Sequence, residues 1–127
     1  MKIHESAENY LETILVLSQR KQFVRSIDIV NELNFSKPSV SIAMKHLREN
    51  SYIEMDEDGY ITLTATGAEI ANKIYERHQW ISALLIEIGV EPEIAKEEAC
   101  RIEHDISQNT FEKLKSWLSQ NKIFDNK

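Results

Sequence analysis

Cys100, Glu103 and His104 place a thiol, a carboxylate and an imidazole in one short stretch. If Glu97–His104 is helical, these side chains stand at i, i+3 and i+4 and project from one face. Three ligands for a first-row metal then converge without a loop to bring them together, which makes half of a metal site. The plainer alternative is a small core cysteine flanked by surface charges. A thiolate donor suits ferrous iron, cobalt or zinc, while carboxylate and amide oxygens admit manganese.

Two other places offer the missing donors. His78 lies on an apolar helical stripe with Ile70, Ile74, Ile81, Leu85 and Ile88. A lone histidine there is ordinarily a satisfied core residue, but the ligand types gathered at 100–104 turn the reading toward ligation. Asn9 and Glu12 stand at i, i+3 on a first helix, a spacing that any solvated helix face also shows.

A second chemistry is carried by Ser36, Lys37, Pro38, Ser39, Ser41, Ile42 and Lys45. From Lys37 to Arg48 there are three basic residues and no acidic one. An ordinary solvated face has such charges too, but serines and backbone N–H groups at a helix start suit phosphate contact. The net charge of −6 argues at first against a nucleic-acid partner. Its distribution reverses that: residues 1–53 hold seven Lys/Arg against six Asp/Glu, and residues 54–127 hold eight against fifteen.

The elements that must position these residues follow from periodicity. Ser6 caps a helix to about Arg20, with Ala7, Tyr10, Leu11, Ile14 and Leu17 inward. Phe23–Arg25 reads as a short strand or extended lead-in. Ser26 caps a second helix with Ile27, Val30 and Leu33 inward, and Asn34-Phe35 make a tight turn. Ser36 caps a third helix, with Pro38 in its first turn and Val40, Met44 and Leu47 buried. Two short helices joined by a tight turn, the second basic, form a helix-turn-helix.

Tyr52–Met55 and Tyr60–Leu63 then alternate as strands about Asp56-Glu57-Asp58-Gly59, an Asp-Gly hairpin signal. That completes a winged helix, although Glu54, Asp56, Glu57 and Asp58 would repel a phosphate backbone and leave the wing to touch DNA at most near Tyr60. A long helix runs from Thr64 to about Ile88, where Gly89 ends it. Pro92 opens the helix carrying Cys100, Glu103 and His104, and Ser107 starts a last helix with Phe111, Leu114, Trp117 and Leu118. The tail from Asn121 to Lys127 reads as frayed.

The fold class is therefore mainly α, an N-terminal winged helix-turn-helix with a small hairpin followed by helices. No apolar run approaches the roughly 20 residues that span a bilayer, and no signal-peptide core follows Met1, so a cytoplasmic location is expected. A single cysteine forms no internal disulfide and suits a reducing compartment. Ile81, Leu84, Leu85, Phe111, Leu114 and Trp117 are expected to form a dimer surface.

The Ser36-Lys37-Pro38-Ser39-Val40-Ser41 opening, the hairpin leading into Leu63-Thr64-Ala65-Thr66-Gly67, the Arg77-His78 pair and Glu98–His104 together resemble the diphtheria toxin repressor and manganese transport regulator family. The resemblance runs from about Ser6 to Trp117. It implies a dimeric, metal-dependent repressor of metal-uptake genes that binds a palindromic operator in double-stranded DNA and no membrane. It implies residues 1–64 as the DNA-binding domain and residues 65–127 as the metal-binding and dimerisation domain.

By the same resemblance Asn9, Glu12, His78, Cys100, Glu103 and His104 fall on metal-ligand positions. Cys100 stands where iron-responsive members carry cysteine, Glu12 matches a ligand of the manganese branch, and Asn9 matches neither branch. The implied cofactor is Fe2+ or Mn2+, with Zn2+ or Co2+ able to bind in vitro. The implied switch is a divalent ion linking the first helix to the dimerisation part. Ser82 and Lys96 replace ancillary-site ligands of the iron branch, and Ile42 replaces a polar base-facing residue.

Three rivals remain: a winged-helix regulator sensing a small organic ligand or, through Cys100, a redox signal; a metallohydrolase; and a winged helix that binds protein. The hydrolase lacks a visible base or further polar cluster. Retained oxidant response without metal response in Glu103→Ala would mark the first, and failure to retain DNA at low salt would mark the last.

Overall fold

A computed structural model describes residues 5–121. The expected fraying beyond Asn121 lies outside the described residues. The chain forms two compact units, Met1–Lys73 and Ile74–Lys127.

The first unit holds α1 (Glu5–Arg20), α2 (Ser26–Leu33), α3 (Lys37–Glu49), β1 (Ile53–Met55), β2 (Ile61–Leu63) and the start of α4 (Ala65–Glu87). Its core joins Leu11, Ile14, Ile29, Val40 and Met44 with Ile53, Ile61 and Ala71. The helical spacing of Tyr10, Leu11, Ile14 and Leu17 buries one face of α1 against α2, α3 and β2. Within α2 the inward face is displaced from expectation. Ile29 is fully buried, Val30 and Leu33 are half-buried, and Ile27 is exposed.

The caps explain where the helices begin. α1 already includes Ser6, so Ser6 is not its N-cap. Arg25, not Ser26, precedes α2, and the Asp28 carboxylate accepts the Arg25 backbone N–H at 2.8 Å. Asn34 closes α2 in the left-handed region (φ 58°), which a short polar side chain tolerates. Ser36 caps α3 as expected, its hydroxyl accepting the Ser39 N–H at 3.2 Å. Residues 23–25 form no strand, but the Val24 carbonyl accepts the Ile61 N–H at 2.7 Å, so the lead-in lies beside β2.

β1 and β2 pair antiparallel with Ile53 opposite Leu63 and Met55 opposite Ile61. Gly59 takes a positive φ of 81° in the turn, and Asp56 Oδ1 accepts the backbone N–H groups of Asp58 and Tyr60. Thr64 then caps α4, accepting the Gly67 N–H at 3.1 Å. A Cβ on Gly67 would lie 2.0 Å from the Tyr52 carbonyl oxygen. The Thr-x-x-Gly sequence thus brings the first turn of α4 against backbone, where only glycine fits.

The second unit takes the rest of α4, α5 (Pro92–Ile102) and α6 (Gln108–Gln120). Ile74, Ile81, Ala95, Ala99, Phe111 and Leu118 form its buried apolar set. Ile81 and Phe111 are therefore core and not dimer surface. Leu84, Leu85 and Leu114 are half-buried, and the exposed large apolar residues here are Ile86, Ile88, Ile94, Ile102 and Trp117. Among the described residues no helix is long and apolar enough to cross a membrane.

Candidate metal centre and nucleic-acid face

α5 ends at Ile102, so the expected single helical face is broken after Cys100. Glu103 is the C-cap residue and His104 lies in the turn that follows. The Glu103 backbone still holds α-helical angles (φ −59°, ψ −25°), and its N–H reaches the Ala99 carbonyl at 2.9 Å. Cys100 and Glu103 consequently keep their i, i+3 relation, and His104 follows in the turn.

The missing donor within this unit is His78. The ligand atoms of His78, Cys100 and Glu103 all lie within 4.8 Å of one another. His78 Nδ1 is 3.0 Å from Glu103 Oε1, and His104 Nε2 is 3.5 Å from Glu103 Oε2. Glu103 is wholly buried, His78 and Cys100 half-buried, and the His104 imidazole buried. A buried carboxylate is costly unless paired with cations or strong donors. Nitrogen, sulfur and oxygen donors at this separation fit a divalent transition metal, because ligand atoms about a common ion at 2.0–2.3 Å stand roughly 3–4.5 Å apart.

The turn carrying Glu103 and His104 is pinned by a residue that sequence reasoning noticed only as part of a motif. Arg77 is buried, and its Nη1 donates to the carbonyls of Glu103 and Ile106 at 2.8 Å each. Nη2 donates to Gln108 Oε1 at 2.9 Å, and the guanidinium lies over the Phe111 ring. The C-cap carbonyl of α5 and a carbonyl of the connection to α6 are thereby satisfied by a planar fork. The available signal was an arginine interrupting an apolar stripe beside His78.

Asn9 and Glu12 lie on α1 in the first unit; Asn9 is half-buried and Glu12 is buried. One turn past His78, Ser82 is buried and its hydroxyl makes no hydrogen bond among the described residues. Lys96 is exposed.

The nucleic-acid candidates have the opposite setting. Ser36, Lys37, Pro38, Ser39, Ser41, Ile42 and Lys45 are all exposed, while Val40, Met44 and Leu47 anchor the other face of α3. Ile42, the most apolar of them, is 58% exposed. A helix docked by three apolar residues can present this row to a groove without rearranging its own core.

Residues 2–61 match the family described as iron dependent repressor, N-terminal DNA binding domain. Residues 64–123 match iron dependent repressor, metal binding and dimerisation domain. An HTH-type transcriptional regulator of Methanocaldococcus jannaschii is 32% identical over 118 residues, covering 91% of this chain and 94% of that protein. The transcriptional regulator MntR of Escherichia coli is 34% identical over 108 residues, covering 85% and 70% respectively. The solved manganese regulator SloR superposes with a TM-score of 0.80 at 28% identity, and the IdeR of T. acidophilum with 0.79 at 30%. Each of these two matches covers 94% of this chain and 55% of the solved chain, so the present sequence spans about half of either.

Proposed function

This chain belongs to the iron-dependent repressor family, and from that premise we propose a homodimeric repressor of metal-uptake genes that needs ferrous iron or manganese to bind its operator. The family is one of transcriptional regulators; the chain is read as having no catalytic role and as acting in the cytoplasm. Residues 1–64 are assigned to DNA binding, and residues 65–127 to metal binding and dimerisation.

The observation that carries the reading is the gathering of His78, Cys100 and Glu103 donor atoms within 4.8 Å about a fully buried carboxylate. We assign ligand roles to these three, to His104, and to Asn9 and Glu12 of α1. The manganese regulator SloR among the solved relatives favours manganese, whereas the Cys100 thiolate favours iron. DNA contact is assigned to Ser36, Lys37, Pro38, Ser39, Ser41, Ile42 and Lys45.

When bound, a divalent cation supplies the positive charge that lets thiolate and carboxylate donors lie close together. Cys100 would hold it as a thiolate and His78 through a neutral ring nitrogen, so binding would release protons and weaken as pH falls. Asn9 and Glu12 belong to the DNA-binding part and the other assigned ligands to the second unit, so an ion held by both sets would couple the two parts of the chain. Metal and DNA affinities then strengthen each other by the same factor, on the order of 5–150-fold. In the dimer, two α3 helices enter successive major grooves roughly 34 Å apart.

The test is an anaerobic titration of metal-free protein with Fe2+, Mn2+ or Zn2+, read by selection from a random-sequence duplex library. Recovery of a palindrome only with iron or manganese is expected. Equal DNA binding by metal-free and metal-loaded protein at fixed salt would sink the metal switch.

A further inference from the structure

The wing is acidic, yet DNA is an anion. Glu54, Asp56, Glu57 and Asp58 are all exposed, and residues 53–63 contain no lysine or arginine. A cation from elsewhere is nonetheless held at this hairpin. Arg25, the residue before α2, lays its guanidinium over the Tyr60 ring, 4.6 Å from the centroid. Phe23 stacks on the same ring at 4.4 Å, with the planes inclined by 16°. Phe23 is half exposed and Arg25 exposed, so this cluster faces solvent.

The carboxylate that accepts the Arg25 backbone N–H is already engaged. Asp28 Oδ1 accepts Lys21 Nζ at 2.7 Å, and Oδ2 accepts the Arg25 backbone N–H at 2.8 Å. Burial pushes the Asp28 carboxyl up, but the Lys21 hydrogen bond, the Arg25 N–H and both cations outweigh it and hold the group below the usual range. Asp28 stays ionised on Lys21, and the Arg25 guanidinium goes to the aromatic face. A guanidinium over a ring face spends none of its five N–H donors on a protein acceptor there, and its fork matches phosphate oxygens.

Placement follows from the motif. The first helix of a helix-turn-helix crosses the phosphate backbone while the second lies in the groove. Arg25 stands at the start of that first helix, and Tyr60 follows the wing turn. The two parts that flank α3 meet at this cluster.

We infer that Arg25, held over the ring of Tyr60 on which Phe23 stacks, is a DNA-phosphate contact, and that it supplies the positive charge an acidic wing lacks. This rests on the DNA-binding reading and adds to α3 a contact outside the recognition helix. The competing use is a pin that fastens the lead-in to β2, which would alter stability and leave DNA affinity alone.

The two are separated by measuring affinity of manganese-loaded full-length protein for random-sequence duplex across a salt series. Removing one phosphate contact lowers the slope of log affinity against log salt by about one for each subunit. R25Q is expected to show that loss, with a several-fold weakening that is the same on every duplex, while R25K keeps the wild-type slope. Y60L, which keeps the charge and removes its platform, is expected to weaken binding at an unchanged slope. An R25Q protein with wild-type slope and affinity would overturn the inference, as would a loss confined to particular sequences, which marks base readout. Wild-type affinity in Y60L would overturn the role of the stack. Wild-type protein that binds duplex at no salt concentration would instead overturn the DNA-binding reading itself.

Discussion

The face of α3 presents Ser36 through Lys45 from one helix, every candidate contact exposed, whereas His78, Cys100 and Glu103 come from two helices and a helix end and surround a carboxylate with no exposure. The first arrangement works by charge and hydrogen bonds offered to water, where each contact is modest and replaceable. The second works by removing charge from water, where each group depends on its neighbours. As proposed sites, the first is expected to have members that act nearly additively and the second members that act as a unit.

Glu103→Ala is the strongest way to break the contrast. It removes the acceptor facing both His78 and His104, and metal affinity is expected to fall by more than the roughly 10–100-fold typical of losing an outer-shell partner. Isothermal titration with Mn2+ measures this, and DNA affinity with metal should drop to the metal-free value. Residual DNA binding should keep its salt slope, because no phosphate contact has been touched; an altered slope would join the two sites.

Arg77→Lys probes the support beneath the ligands. Lysine keeps the charge but cannot bridge the carbonyls of Glu103 and Ile106 together with Gln108. We expect a roughly 10–100-fold loss of metal affinity and a changed thiolate-to-Co2+ absorption band in the folded protein. Unchanged affinity and spectrum would reduce Arg77 to a packing role.

Smaller effects belong to the exposed face. Lys37→Ala and Lys45→Ala should each lower the salt slope by about 1 per subunit and weaken binding alike on all duplexes, with metal affinity of the DNA-free protein unchanged. A fall in that metal affinity would contradict the separation.

Legibility in the sequence divided along the same line. The candidate α3 contacts lie on one helix and one period, so Val40, Met44 and Leu47 told which side faces out before any packing was known. The Asp56–Gly59 turn and the Ser36 and Ser107 caps were readable because their geometry is local. Ile27 misled because α2 is only eight residues long, too short for a period of 3.6 to choose between adjacent faces. The dimer-surface reading failed at Ile81 and Phe111 for a related reason: apolarity does not say whether a neighbour within the same unit already covers a side chain.

By itself, then, the sequence determined the order of elements, the winged helix-turn-helix, the inward face of α3 and the ligand types at 78, 100, 103 and 104, all consequences of chain-local periodicity and residue chemistry. Only the tertiary structure decided that α5 stops before Glu103, that His78 meets Cys100 and Glu103, and that Arg77 holds the turn carrying Glu103 and His104. Those depend on where the end of one helix falls against another, and no spacing along a single chain segment encodes that distance.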